Sequence, residues 1–323
     1  MEGKYRQWIA AFVMGMIVPG LLLRLGAGVG VAEKPDNQES AENPQDFVIQ
    51  QDTRQIPVLH DGILQSMDLE EYLFGVVLAE MPASFETDAL KAQAVAARTC
   101  TLYCTSRGTK HENAAVCTDS NCCQAYLSPE DYKKAGGEEE SLQKVRQAVY
   151  ATAGQVLTYE GALIDATYFS CSGGRTEDAA AVWGGDVPYL QSVESPGEEK
   201  SDDFYTEVTF TPKEFSALLG RSLSGTPQQW LGSVVRTQGG GVQTMVIAGK
   251  TYTGRELRQM LKLNSTAFTM EVSGGNILVK TSGRGHRVGM SQYGADAMAA
   301  TGSSYGEILA YYYRGAELTN WAQ

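Results

Sequence analysis

The run Leu69–Pro82 (LEEYLFGVVLAEMP) puts a glutamate where a helix calls for an apolar residue. Leu69, Tyr72, Leu73, Val76 and Val77 recur at helical spacing and make an apolar stripe. Glu80 follows Val77 by three positions and Val76 by four, so it continues that stripe. A carboxylate on the buried side of a helix end costs free energy. Desolvation disfavours its charged form and raises its pKa, as a general acid working near neutral pH requires. Pro82 stops the helix and keeps Glu80 near a surface or cleft. The bland alternative is a helix-end glutamate capped by a Lys or Arg.

The flanking sequence indicates a mixed α/β (α+β) chain. Phe47–Ile49 and Ile56–Leu64 read as short strands, with a hairpin turn at Asp61–Gly62. Thr87 or Asp88 can cap a second helix, Ala89–Thr105, whose many alanines permit close packing. A third helix is expected at about Ser141–Ala153, then a hairpin of Gln155–Tyr159 and Ala162–Phe169. The region Thr206–Leu263 alternates strand and helix signals and reads as a subdomain or insertion. Ala267–Val272 and Asn276–Lys280 form a hairpin about Ser273–Gly275. Gln292–Ala300 is a helix ended by Gly302. Ser304 and Glu307 make a capping box for a last helix, Tyr305–Tyr313.

At 323 residues the chain can bury one large or two modest cores. Its net charge of −12 argues against nucleic acid or an anionic membrane surface as the main partner. Lys4 and Arg6 precede an apolar run, Trp8–Leu23, which extends through Arg24 to Val31. This stretch is a signal sequence cleaved after Ala32 or, as we favour, an uncleaved membrane anchor. In either case the positive residues stay in the cytoplasm and the rest is exported. The expected organisation is an anchor or signal sequence over 1–32, a polar linker over 33–52 and one domain over 53–320, with 206–263 as the candidate subdomain.

Three runs could carry chemistry beside Glu80. His111, Cys117 and Cys123 are spaced by six residues, with Cys122 as a candidate fourth ligand. Thiolate and imidazole are preferred zinc donors, and a zinc here would clamp a long loop. Free cysteines and a surface histidine in a mobile loop are the plain alternative. Arg284–Ala295 (RGHRVGMSQYGA) is glycine-rich, carries His286 and leads into a helix opening near Ser291. Such a helix start can bind an anionic or hydroxyl-rich group, although many ordinary turns look alike. Tyr168, Ser170, Cys171, Ser172, Gly173 and Gly174 stand at a strand end and suit a sugar-binding surface or a tight turn.

Taken together and in order, these runs resemble the SpoIID/LytB family. The matching stretches are LEEYLFGVVLAEMPASFETDALKAQAVAARTC, CCQAYLSPE, YFSCSGGRTE, VWGGDVPYLQSVESP, LKLNSTAFTMEV and GRGHRVGMSQYGADAMAATGSSYGEILAYYYRGAEL. The resemblance implies a lytic transglycosylase that cuts peptidoglycan between N-acetylmuramic acid and N-acetylglucosamine. It would leave a 1,6-anhydro end and act on denuded strands during engulfment in endospore formation. The family's catalytic glutamate lies in its AEMP motif, which is Glu80 here. A zinc bound by one His and two Cys is known in some members, and His111, Cys117 and Cys123 match it. Members often carry His where this chain has Cys122, and Arg287 and Cys171 stand where small residues are more usual.

The implied partners are glycan strands, a partner amidase (SpoIIP) and a membrane protein of the engulfment machinery (SpoIIM). The implied location is the cell membrane, with the catalytic domain outside the cytoplasm. Tyr168, Ser170, Ser172, Gly173, Gly174, Arg284, His286, Ser291 and Gln292 would bind substrate in a groove. An ordinary glycosidase needs two carboxylates, whereas a lytic transglycosylase needs one. No second carboxylate stands out near Glu80 in these runs; Asp165 and Glu177 are candidates, but nothing marks either as a nucleophile. The competing readings are a muramidase using water, a non-catalytic glycan-binding activator of an amidase, and a zinc hydrolase.

Overall fold

The computed structural model describes residues 54–108 and 111–321. The hydrophobic N-terminal stretch, the linker and the expected strand Phe47–Ile49 lie outside the described residues. Among those described, no helix is long and apolar enough to cross a membrane. The architecture is mixed α/β, with several small sheets packed around helices.

The acid-bearing helix runs over Leu69–Glu80. Asp68 opens it by accepting hydrogen bonds from the Glu70 and Glu71 amides at 3.0 and 3.2 Å. A single apolar stripe was the expectation, but the helix is enclosed on most sides, with Leu69, Tyr72–Leu78 and even Glu70 buried. The long helix Thr87–Ser106 packs against it, and its alanines allow the close approach. Neither Thr87 nor Asp88 caps that helix; Glu86 is the N-cap. The Glu86 amide donates instead to the Asp296 carboxylate at 2.7 Å, while Asp88 accepts from the Tyr305 amide.

The third helix, Glu139–Tyr150, completes this packing, and its buried residues are Leu142, Val145, Ala148 and Val149. Arg98 ties the three helices together from inside the core. It is fully buried, and all five of its N–H donors are used. Nε and Nη2 meet the two oxygens of Glu70 at 2.8 and 2.5 Å. Nη2 also reaches the Val149 carbonyl, and Nη1 donates to Gln155 O and Thr152 Oγ1. The pair therefore binds the acid helix, the long helix, the third helix and the strand Gln155–Tyr159 into one unit.

The expected strand Ala162–Phe169 is divided between two sheets. Ala162–Leu163 pairs antiparallel with Gln155–Tyr159, which also pairs with Glu317–Asn320. Tyr168–Phe169 leaves that sheet and pairs in parallel with Met290–Ser291. This pairing sets the SCSGG run beside the glycine-rich loop. Gly289 makes the approach feasible: at φ 84° an added Cβ would lie 2.0 Å from the Thr167 carbonyl oxygen.

A second apolar cluster contains Phe215, Trp230, Met245, Ile247, Tyr252, Leu257 and Phe268. It also takes in Ile277 and Val279 of the strand Asn276–Ser282. By packing, this lobe runs past Leu263 to include the hairpin Phe268–Ser273 and Asn276–Ser282, on which the strand Tyr205–Phe210 also pairs. Buried Arg287 joins the lobe to the main core. It sits at a positive φ of 66° and donates to Glu177, to the Ser172 and Arg175 carbonyls and to the Gly239 carbonyl. Glu177 in turn accepts from Thr237 Oγ1 and the Gly241 amide.

Removing one partner of a buried, fully bonded ion pair leaves the other charge stranded, at about 3–5 kcal/mol. Arg98→Met should therefore lower the melting midpoint by roughly 10 °C, read by circular dichroism. A variant that melts with the wild type would show the pair to be dispensable.

Candidate active site and metal centre

A polar cavity of about 580 Å³ opens where the end of the acid helix, the loop after His111, the strand Tyr168–Phe169, the glycine-rich loop and the second lobe converge. Glu80 lies in its wall, and it is the only carboxylate among the lining residues. The helix stops at Glu80, with Met81 as C-cap, so the side chain stands at the helix end as the sequence predicts. Burial raises its pKa, opposed by a hydrogen bond from the Ala125 amide at 2.8 Å and by the Gln292 side chain. Neither a lysine nor an arginine is among the groups that shift it. The charge of an ionised Glu80 is thus disfavoured but not forbidden.

The loop preceding Tyr126 supplies the partners around this acid. Gln124 is buried and accepts from the Tyr168 hydroxyl at 2.7 Å, while its amide donates to Thr101 Oγ1 at 2.8 Å. Tyr168 lines the cavity with its proton committed to Gln124, and burial and the nearby Glu80 charge push the phenol pKa up. Neither Gln124 nor Ala125 was singled out in the sequence. Both fall in the CCQAYLSPE stretch that carries the family resemblance, directly after the cysteine pair.

Of the residues expected to bind substrate, Tyr168, Ser170, Arg284 and His286 line the cavity. His286 is packed against the Phe169 and Trp183 rings, with centroids 5.6 and 5.5 Å away. Its Nδ1 accepts from the Val288 amide at 3.1 Å, and the Tyr168 carbonyl takes the other bond. Both nitrogens are therefore occupied within the protein, and burial pushes the pKa down to about 4. His286 holds the strand beside Glu80 and presents a neutral ring to the cavity.

Ser172, Gly173, Gly174, Ser291 and Gln292 are not among the lining residues, contrary to expectation. Ser172 is fully buried, and its amide and hydroxyl donate to the buried Glu198 carboxylate at 2.7 and 2.9 Å. The Gly173 amide and the Cys171 thiol donate to the same carboxylate. Gly173 is needed for packing: an added Cβ would lie 2.7 Å from the Ser282–Gly283 backbone. Gly174 has φ 104° and donates its amide to Ser172 Oγ. Ser291 is buried as the N-cap of the helix Gln292–Ala300, where it accepts from the Gly294 amide. Gln292 is buried behind Glu80 and bonds Gln93 at 3.5 Å. These five support the wall from behind.

Asp165 and Glu177 also lie outside the cavity lining. The second lobe adds Arg258, Leu263 and Asn264, which lie in or just beyond the candidate subdomain 206–263 and are not among the site residues the sequence pointed to. Asn264 and Arg284 both bond Asp203.

Cys123 joins this cavity to a cluster of donors. His111 Nε2 is 3.4 Å from Cys123 Sγ and 3.6 Å from Cys122 Sγ, and the two sulfurs are 4.0 Å apart. The ligand atoms of His111, Cys117, Cys122 and Cys123 all lie within 4.8 Å of one another. Cys122 thus belongs to the set on geometry. The strand Val116–Cys117 pairs in parallel with Gln55–His60 and anchors one donor in a sheet.

A histidine whose folded pKa falls from 6.5 to about 4 refuses a proton that the unfolded chain accepts. Its contribution to stability should be flat above about pH 6.5 and worsen as the pH drops toward 4. Nitrogen-detected NMR should show a neutral His286 imidazole at pH 5.5, and His286→Gln should flatten that part of the pH–stability curve. An imidazole titrating near 6.5 would contradict the packing described.

A family profile for stage II sporulation protein matches residues 61–159. The chain is 42% identical over 261 residues to stage II sporulation protein D of Bacillus subtilis (strain 168), covering 79% of this chain and 76% of that protein. It is 41% identical over 261 residues to the protein of the same name from Bacillus amyloliquefaciens, covering 79% and 75%. An amidase enhancer of Bacillus subtilis is 31% identical over 302 residues, covering 77% of this chain and 40% of that protein. With that identity spread over most of both chains, this protein belongs to the SpoIID family of stage II sporulation proteins.

Proposed function

We propose that the protein is a peptidoglycan lytic transglycosylase that cleaves the N-acetylmuramic acid–N-acetylglucosamine bond of denuded strands. The carrying observation is a single carboxylate, Glu80, in a polar cavity that raises its pKa. Protonated Glu80 would donate to the glycosidic oxygen as the bond breaks. The resulting carboxylate, steadied by the Ala125 amide, would take the proton from the muramyl 6-hydroxyl as that oxygen closes on the anomeric carbon. Both protons are accounted for by one residue, and no water is consumed. A hydrolase of the usual kind would want a second carboxylate within about 5–10 Å, and the lining supplies none.

The four clustered donors fit a tetrahedral zinc. With Zn–S near 2.3 Å and Zn–N near 2.0 Å, neighbouring ligand atoms would be about 3.5–3.8 Å apart, close to the separations at His111. Four protein ligands leave no open position, so a zinc would serve as a clamp on the loop that carries Gln124 and Ala125. The wider setting we propose is the outer face of the cell membrane, behind an N-terminal anchor. There the protein would act on glycan stripped by a partner amidase during engulfment, with SpoIIP and SpoIIM as partners. The relative named as an amidase enhancer favours one second reading, in which the chain stimulates such an amidase without cutting glycan itself.

Mass spectrometry of denuded strands digested with the full-length protein tests this reading. Anhydro-ended fragments are expected from the wild type and a loss of at least about 10³-fold from Glu80→Gln. Reducing ends would establish a muramidase, and amidase stimulation without any cleavage would establish the activator. Because the raised pKa makes ionised Glu80 a burden on the folded state, stability should fall as pH rises above about 4.5. Glu80→Gln should accordingly melt higher than the wild type at pH 8 and level with it at pH 4.

Metal analysis should find one zinc per chain, lost in His111→Ala and in Cys117→Ser. With metal at a hundred times its dissociation constant, that loss removes about 2.7 kcal/mol of stability. Metal-free variants that melt like the wild type would remove the clamp.

A further inference from the structure

Arg258 is the cation in the cavity whose charge is left unmatched. It projects from the helix Gly254–Leu261 of the second lobe and lines the cavity that holds Glu80. Its Nε donates to the Leu263 carbonyl at 3.4 Å, which leaves the Nη groups outside that bond. No salt bridge to Arg258 occurs among the described residues, and the charges that act on it are the cations Arg284 and Arg255. Arg284, beside it in the lining, is paired with Asp203 at 3.2 Å. The one other ionisable carboxyl in the lining is Glu80, whose charged form burial disfavours. In a chain of net charge −12, a half-buried arginine facing a cavity next to a second arginine is not explained by general basicity. Keeping two guanidinium groups together and partly desolvated is costly without an anion to receive them.

We propose that Arg258 is a specificity-determining residue that binds a carboxylate of the substrate, namely the lactyl carboxylate of an unsubstituted muramic acid residue. This rests on the peptidoglycan reading above and deepens it. The chemistry is selective. The 3-O-lactyl group of a muramyl residue carries a negative charge only when no peptide is attached. Once a stem peptide is joined there, the same carbon is a neutral amide with a bulky substituent. A planar guanidinium presents two parallel N–H donors to a carboxylate, but an amide offers it one uncharged acceptor. A cavity closed on one side by Arg258 thus distinguishes bare glycan from peptide-bearing glycan at the point of attachment.

The test uses full-length protein in a Glu80→Gln background, so that binding is measured without turnover. The ligands are denuded glycan strands and the same strands with every lactyl carboxylate converted to its methylamide. Calorimetry should show Glu80→Gln binding the carboxylate form about tenfold to a hundredfold more tightly than the amide. Adding Arg258→Gln should bring the carboxylate form down to the amide's affinity and leave the amide unchanged. Arg258→Lys should keep part of the preference, which guards against misfolding as the cause. Equal binding of both ligands by Glu80→Gln, or an undiminished preference in the Arg258→Gln double variant, would overturn the proposal. Failure to bind either ligand would overturn it as well. The two readings separate cleanly. A wild type that yields no anhydro product while Glu80→Gln still prefers the carboxylate sinks the lyase and spares Arg258. Anhydro product with no carboxylate preference does the reverse.

Discussion

The buried pair between Glu70 and Arg98 is the constraint on which the rest of the structure depends. Two charges in a core are unfavourable unless geometry and hydrogen bonding are complete, and here they are. Every donor of Arg98 is spent on Glu70, on two backbone carbonyls and on Thr152. These partners lie on the acid helix, the third helix and the turn and strand that follow it. The pair specifies how those elements meet. It thereby decides where the far end of the acid helix, and so Glu80, comes to rest.

Glu80 shows how the end of a helix can hold a carboxyl group in an unusual environment. The helix brings it to a cavity edge, burial raises its pKa, and a loop from elsewhere donates one amide to it. That loop follows a short strand at Cys117 and carries two of the grouped donors, Cys122 and Cys123, beside His111 and Cys117. Directly after Cys123, Gln124 fixes Tyr168 and is itself fixed by Thr101. The donor cluster is thus linked to the cavity wall through adjacent residues of the chain and a few hydrogen bonds.

A second device joins the two apolar cores. Arg287 adopts a left-handed backbone conformation and spends its guanidinium on Glu177 and on three carbonyls from two segments. Because Glu177 also holds the Thr237–Gly241 turn, the second lobe is tied to the wall of the cavity. Glu198 does similar work behind the SCSGG run, gathering the Ser172, Gly173 and Cys171 donors. A run rich in serine and glycine thus owes its composition to a buried carboxylate and to close backbone packing more than to the open cavity.

Much of the local structure was legible in the residues alone. The acid helix, the Ser304–Glu307 capping box and the hairpin about Gly274 and Gly275 follow from short-range spacing, and all three occur with boundaries within a residue or two. The position of Glu80 at a helix end was equally a matter of periodicity and a following proline. The His/Cys cluster was readable as a set of donors, although membership of Cys122 required the distances. The long-range arrangement was not readable in the same way. No local pattern shows that Glu70 meets Arg98, that Tyr168 changes sheets to pair with Met290, or that Asp296 caps a helix more than 200 residues earlier. The same holds for which glycines and serines face the cavity and which lie behind it. Periodicity and capping are interactions among near neighbours and are written in order along the chain. The cavity is made of side chains from distant segments, and its lining depends on which buried charges find partners when those segments pack.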